Sequence, residues 1–207
     1  MTREPLTILG FAAALLIGAV LWSSTPETLP VHWGLNGQPD RYGTRLEGLF
    51  ALPAVLLLAA LMTRVMQRFS ESGARNATIL RTARLSLALL ALLLQLRLLL
   101  NADVPRSATL GLGLTFLLIG NVLGKAEPDA RLERAPTWTD ERRRAWYVAA
   151  RRSAHRLFAL GALLLLAGLF TPQAWLVPWV SPVGLIALVL VFAVWTAVEH
   201  RALRPAR

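Results

Sequence analysis

Six uninterrupted apolar blocks restrict this chain to very few folds: Leu6–Trp22, Leu49–Met66, Leu85–Leu100, Ala108–Leu123, Leu157–Phe170 and Trp179–Val198. A helix needs about 20 largely apolar residues, with a range of roughly 17 to 25, to cross the hydrocarbon core of a bilayer. The third and fifth blocks are short by strict count, and flanking small residues extend both. Inside hydrocarbon every backbone amide must find its partner within the protein, so such blocks become helices. A soluble domain would show amphipathic spacing and more charge; here 55% of the 207 residues are hydrophobic and 16% charged. The connections are too short for a separate soluble domain. The fold expected is an all-α integral membrane protein with six transmembrane helices.

A net charge of +10 raises the question of nucleic acid, which the distribution of charge answers. Of 22 basic residues, eighteen lie in the N-terminal tail, the second connection (Arg64–Arg84), the fourth (Lys125–Arg156) and the C-terminal tail. That asymmetry is the positive-inside pattern. It places both termini and the second and fourth connections in the cytosol, and the first, third and fifth outside. The basic charge is therefore a topology signal and an attraction to anionic lipid head groups, with no direct role toward nucleic acid. No small-x-small cleavage site follows Trp22, so the first block reads as a retained helix. The absence of cysteine excludes disulfides, thiolate metal sites and thiol catalysis.

The first outward connection, LPVHWGLNGQPDRYGTR (29–45), is chemically dense. Asn36-Gly37 and Pro39-Asp40 are turn-forming pairs, and several turns in succession predict a compact cap over the helix ends. His32 and Asp40 can meet across it, with Trp33, Asn36 and Arg41 completing an outward partner site. Either a buried His32–Asp40 hydrogen bond holds the cap or the pair binds a ligand. One histidine and one carboxylate are too few for a zinc site. No serine nucleophile, Gly-x-Ser-x-Gly or His-Glu-x-x-His accompanies them, so neither an enzyme nor a cofactor is expected.

Within the third block, Gln95 and Arg97 interrupt LLLQLRLLL. An arginine in hydrocarbon costs at least roughly 2.5–3.5 kcal/mol on insertion scales unless it snorkels or pairs. Arg97 lies within about two helical turns of Asn101 and Asp103. It either snorkels to the outer surface or faces the bundle and pairs with Asp40 or Asp103. The second connection, QRFSESGARNATILRTAR, reads as a solvated turn with short helical extensions. In the fourth, spanning 124–155, Thr137 or Thr139 caps a helix with Asp140 and Glu141 in its first turn. Trp146, Ala149, Ala150 and Ser153 form a weakly apolar side against Arg142, Arg143, Arg144, Arg151 and Arg152. This predicts a basic interfacial helix that bends into the fifth span near His155. Asn121, close to the inner end of the fourth span, is expected to hydrogen-bond the Arg134–Trp138 segment.

The stretch Leu29-Pro30-Val31-His32-Trp33-Gly34-Leu35-Asn36-Gly37-Gln38-Pro39-Asp40-Arg41-Tyr42-Gly43 resembles the signature of the N-terminal membrane domain of SdpI-type proteins. Gly120-Asn121 with Lys125 is similar to that family's Gly-Asn-then-Lys element. Arg134, Pro136, Trp138 and Thr139 resemble its Arg-x-Pro-Trp-Thr run, and Trp146 stands at the family's spacing. Where the family carries Thr-His, this chain has Ala149-Ala150, and His155 lies further on. The resemblance implies an N-terminal membrane domain over residues 1–103 and an SdpI-like C-terminal domain over 104–207. It implies a bacterial plasma (inner) membrane location and immunity to a secreted antimicrobial peptide toxin. It also implies membrane signalling by binding a soluble repressor. The alternative function is a small transporter or lipid-handling protein with a polar cavity near Arg97.

The topology carries its own test. Single cysteines at Gln38 and Ser181 are expected to react with an impermeant maleimide from outside, and cysteines at Ser72 and Ala130 to be protected. The reverse labelling pattern inverts the orientation.

Overall fold

The computed structural model describes residues 4–34, 38–100, 103–128, 133–172 and 176. Helix α1 (Glu4–Leu21) leads into strands β1 (Thr28–Trp33) and β2 (Pro39–Thr44). A π-helical turn, Glu47–Ala51, opens the second long helix and continues as α2 (Leu52–Phe69). A short α3 (Glu71–Arg75) precedes α4 (Ala77–Leu99), α5 (Val104–Leu123) and α6 (Asp140–Phe170). Among the described residues five helices are long and apolar enough to cross a membrane: Glu4–Leu21, Glu47–Phe69, Ala77–Leu99, Val104–Leu123 and Asp140–Phe170. They coincide with the first five apolar blocks. The sixth block, Trp179–Val198, lies outside the described residues, as do Asn36 and Asn101.

Two expectations are corrected. The fold is not purely α-helical, because the first connection is an antiparallel hairpin pairing Thr28 with Thr44, Leu29 with Gly43 and Pro30 with Tyr42. Among the described residues the basic segment before the fifth span is not a separate interfacial helix: it is the first part of α6, which runs unbroken for 31 residues through His155. That is about 46 Å at 1.5 Å per residue, against a hydrocarbon core of roughly 30 Å, so its first turns stand beyond the membrane. Pro105 lies inside the first turn of α5, where its missing N–H costs nothing. Asp103 starts this helix: its carboxylate caps α5 by accepting from Arg106 N at 2.7 Å.

Two packing seams organise the bundle. In the first, α1 and α2 lie against α4 around Phe11, Ala14, Ala60, Ala88 and Ala91, with Leu56, Leu57 and Leu87 packed against them. Small residues let the helix axes approach closely, which is how helices associate where lipid removes the hydrophobic drive. In the second, α5 meets α6 with almost no space between their backbones. A Cβ at Gly120 would fall 2.5 Å from Phe158 N, and one at Gly161 would fall 2.5 Å from Leu117 N. Both positions contact backbone, which has nowhere to retreat.

Gly120→Ala and Gly161→Ala are each expected to cost about 1–3 kcal/mol through overpacking. Gly124→Ala is the control, because its Cβ would meet Ala154 Cβ at an ordinary 3.5 Å. Thermal unfolding in detergent measures this, and equal melting temperatures for the three variants would refute the seam.

Candidate functional site

Chemistry concentrates at the two ends of the bundle. At the hairpin end, β1 rests on the π-helical turn. A Cβ at Gly48 would fall 2.5 Å from Leu29 Cδ1 and 3.0 Å from Leu29 Cβ, so a side chain there would make Leu29 shift. Beneath it, Gln95 of α4 is 2% exposed, and its side-chain amide donates to the Leu49 carbonyl in the turn. A π-helical turn displaces the regular i→i−4 ladder, and a buried amide needs partners; the two needs are met together. Phe50 packs over Gly18 and lies 6.1 Å from the Trp22 ring. Arg45 sits 5.4 Å over the Trp22 ring and donates through Nε to the Pro26 carbonyl at 3.4 Å.

His32 and Asp40 do meet, with Nδ1 to Oδ1 at 2.5 Å, but their side chains are 45% and 49% exposed. The expected buried cap bond is therefore a surface pair, worth about 0–1 kcal/mol. Pro39 and Asp40, expected in a turn, belong to β2. Arg41 pairs with Glu47 at 2.8 Å. Trp33 ends β1, opposite Pro39. Of the two carboxylates that one reading of Arg97 offered it, Asp40 bonds His32 and Asp103 bonds Arg106. Arg106 also donates to the carbonyls of Gly168 (3.0 Å) and Thr171 (3.3 Å), placing a cation on the C-terminal end of α6.

The opposite, arginine-rich end holds residues that sequence reasoning passed over. Arg84 is 3% exposed and donates to Glu4 Oε1 at 2.5 Å and Gln67 Oε1 at 2.6 Å. Arg64 joins the same Glu4 oxygen at 3.0 Å. One carboxylate thus gathers two guanidiniums from α2 and α4 at the first turn of α1. The sequence held a usable signal: Arg84, Ala88, Ala91 and Gln95 fall at i, i+4, i+7 and i+11, the inward stripe of a helix.

The second connection is not a solvated turn. From α3, Arg75 donates Nε to Glu127 Oε2 and Nη1 to Glu133 Oε2, both at 2.7 Å. Asn76 makes a reciprocal pair with the Glu127 backbone, at 3.1 and 2.9 Å. Arg134 bonds Glu71. The asparagine that reaches the fourth connection is therefore Asn76; Asn121, expected to do so, is exposed on α5. Trp146 donates to the Ala126 carbonyl at 3.1 Å and meets Trp138 edge-on with ring centroids 6.4 Å apart. Thr139 caps α6 by accepting from Arg142 N. The weakly apolar side of this helix thus faces protein rather than lipid, with Ala149 3% exposed. Lys125, Pro136 and His155 are exposed. Among the described residues no three His, Asp or Glu side chains gather to hold a metal ion.

The Arg75 hydrogen bond, aided by the nearby charges of Arg75 and Arg143 and opposed by desolvation, lowers the Glu133 carboxyl below its ordinary 4.5. The Arg75 guanidinium is raised in turn by its bonds to Glu133 and Glu127. A carboxylate lowered on folding stabilises the folded state above its unfolded pKa, and this contribution is lost as pH falls through the folded value. Docking of α3 onto the fourth connection is therefore expected to hold at neutral pH and loosen progressively below about pH 4.5. Proteolysis of the fourth connection, followed against pH, reads this out. Arg75→Ala is expected to be cleaved readily at every pH; a wild-type cleavage rate unchanged down to acid pH would refute the linkage.

Residues 9–57, which run from α1 through the hairpin into α2, match a family described as a domain of unknown function (DUF1648). Over 54 residues the chain is 43% identical to an uncharacterized protein of Archaeoglobus fulgidus, covering 26% of this chain and 29% of that protein. The match thus spans less than a third of that relative's length. Over 178 residues it is 23% identical to the immunity protein SdpI of Bacillus subtilis, covering 84% of each chain. No solved structure matches it. The chain is a helical membrane protein, similar to SdpI over most of its length, whose hairpin lies within the stretch that matches DUF1648.

Proposed function

We propose that this protein is an SdpI-like immunity factor of the bacterial plasma membrane, acting by binding a secreted antimicrobial peptide at its hairpin end. The observation that carries this reading is the likeness to an immunity protein across 84% of both chains. The positive-inside distribution of charge supports an outward hairpin and cytosolic termini. A surface that intercepts a toxin must be presented outside and held in shape. The exposure of the His32–Asp40 pair supports the first; the Leu29–Gly48 contact and the Gln95–Leu49 bond support the second.

At the inner end, Arg142, Arg143 and Arg144 are exposed on the extended part of α6. They attract anionic lipid head groups, each contributing about 1 kcal/mol near the surface. A soluble repressor is the inner partner that the family resemblance implies. Ala149-Ala150 stands where the family carries Thr-His, so repressor signalling is not part of this proposal. The working chemistry is binding, with no bond made or broken.

Expression in a sensitive bacterium is expected to raise survival against the cognate secreted peptide. Substituting His32, Asn36 and Asp40 with alanine is expected to remove that protection. Replacing Arg142, Arg143 and Arg144 with glutamine is expected to leave it intact. Protection lost with the inner triple variant and kept with the outer one would place the working surface on the wrong side of the membrane.

A further inference from the structure

A two-stranded hairpin has two edges, and each carries backbone groups that the partner strand does not use. Arg45 N donates to the Glu27 carbonyl at 2.8 Å, which makes these residues a hydrogen-bonded pair. The register continues through Thr28↔Thr44, Leu29↔Gly43 and Pro30↔Tyr42. Antiparallel ladders alternate, so Leu29 and Gly43 turn their amides inward, while Thr28, Pro30, Tyr42 and Thr44 turn theirs outward. Pro30 thus occupies an outward position, where proline removes no ladder bond. It also strips a donor from the β1 edge, and β1 packs against Gly48 through Leu29.

The β2 edge is different. Asp40, Arg41, Tyr42 and Thr44 are exposed, and the outward positions Tyr42 and Thr44 both carry an N–H and a carbonyl. Exposed strand edges are normally blunted by uncompensated charge, especially lysine. Here the neighbouring charges are neutralised within the protein, Asp40 by His32 and Arg41 by Glu47. Beside the edge, Tyr42 and Leu46 are 63% and 61% exposed, an apolar strip at the mouth of the bundle. Local neutrality and apolar flanks complement an uncharged, apolar chain in extended conformation.

We propose that the β2 edge at Tyr42 and Thr44 is a strand-addition site for an extended, uncharged and largely apolar segment of the secreted peptide. This rests on the reading of the hairpin as the toxin-facing surface. Main-chain hydrogen bonds provide the affinity in this mode of recognition, and side chains beside Tyr42 set the preference.

The probe is a synthetic peptide of about seven alternating threonine and valine residues, the length of an ordinary strand, with a second version N-methylated at alternate residues. The full chain, isotopically labelled and held in detergent micelles, is titrated with each and followed by the backbone amide resonances. The amides of Tyr42 and Thr44 are expected to shift and exchange more slowly with the first peptide. The N-methylated peptide is expected to bind at least about tenfold more weakly, the equivalent of one or two net hydrogen bonds. Tyr42→Pro removes an outward N–H and is expected to abolish binding, whereas Tyr42→Ala keeps that donor and retains it. The Leu29 and Gly43 amides report whether the hairpin persists in each variant. Equal binding of both peptides, or no shift along β2, overturns the proposal without requiring any variant to fold. The survival assay separates the two readings. Wild-type protection unchanged by a folded Tyr42→Pro sinks strand addition and leaves immunity standing. Selective peptide binding without wild-type protection sinks immunity and leaves the edge a strand-binding site.

Discussion

A guanidinium buried among three helices has to be answered by a negative charge, and much of this bundle is arranged around that requirement. Arg84 is enclosed by α1, α2 and α4, and its answer is Glu4, with Gln67 accepting a further hydrogen bond. Removing one partner from a buried ion pair costs far more than the pair gains over an apolar replacement. The pair therefore contributes specificity more than stability: it aligns the start of α1 with the end of α2 and the first turns of α4. From that anchor the small residues Gly10, Ala14, Ala88 and Ala91 can face one another at the required height.

The far end of the same three helices uses a neutral polar contact for the same purpose. Gln95 lies on the stripe that carries Arg84, and its amide fixes the π-helical turn through the Leu49 carbonyl. A hairpin alone is marginally stable at best in water. This one stands because Leu29 packs onto Gly48 and Arg45 stacks over Trp22. The hairpin thus inherits its rigidity from the helices beneath it. The exposed His32–Asp40 pair stabilises little.

The first five spans and the charge asymmetry could be read from the chain, because apolar run length and basic bias are local properties. The hairpin could not. Pro30 and Pro39 argue against strands wherever an amide is needed in a ladder, and here Pro30 falls at an outward position that needs none. Register, which is tertiary, decides this. His32 and Asp40 were identifiable as partners by their residue types, yet their exposure follows from where the hairpin sits on the turn. Asn121 and Asn76 show the same division. Both are asparagines at helix ends, and only the approach of α3 to the fourth connection selects Asn76.

By itself the sequence determined that this chain enters a membrane as helices and which ends carry the basic charge, because hydrocarbon tolerates no unpaired backbone and charge sorting reads loops one at a time. It also determined that the first connection is chemically special. His32 and Asp40 apart, which polar residues meet was settled by tertiary structure: Arg84 with Glu4, Arg75 with Glu127 and Glu133, Gln95 with Leu49. Those pairs join residues far apart in the chain, and the glycine contacts between α5 and α6 set how closely the helices approach. Such distances depend on helix packing, a property of pairs of surfaces that no single segment contains.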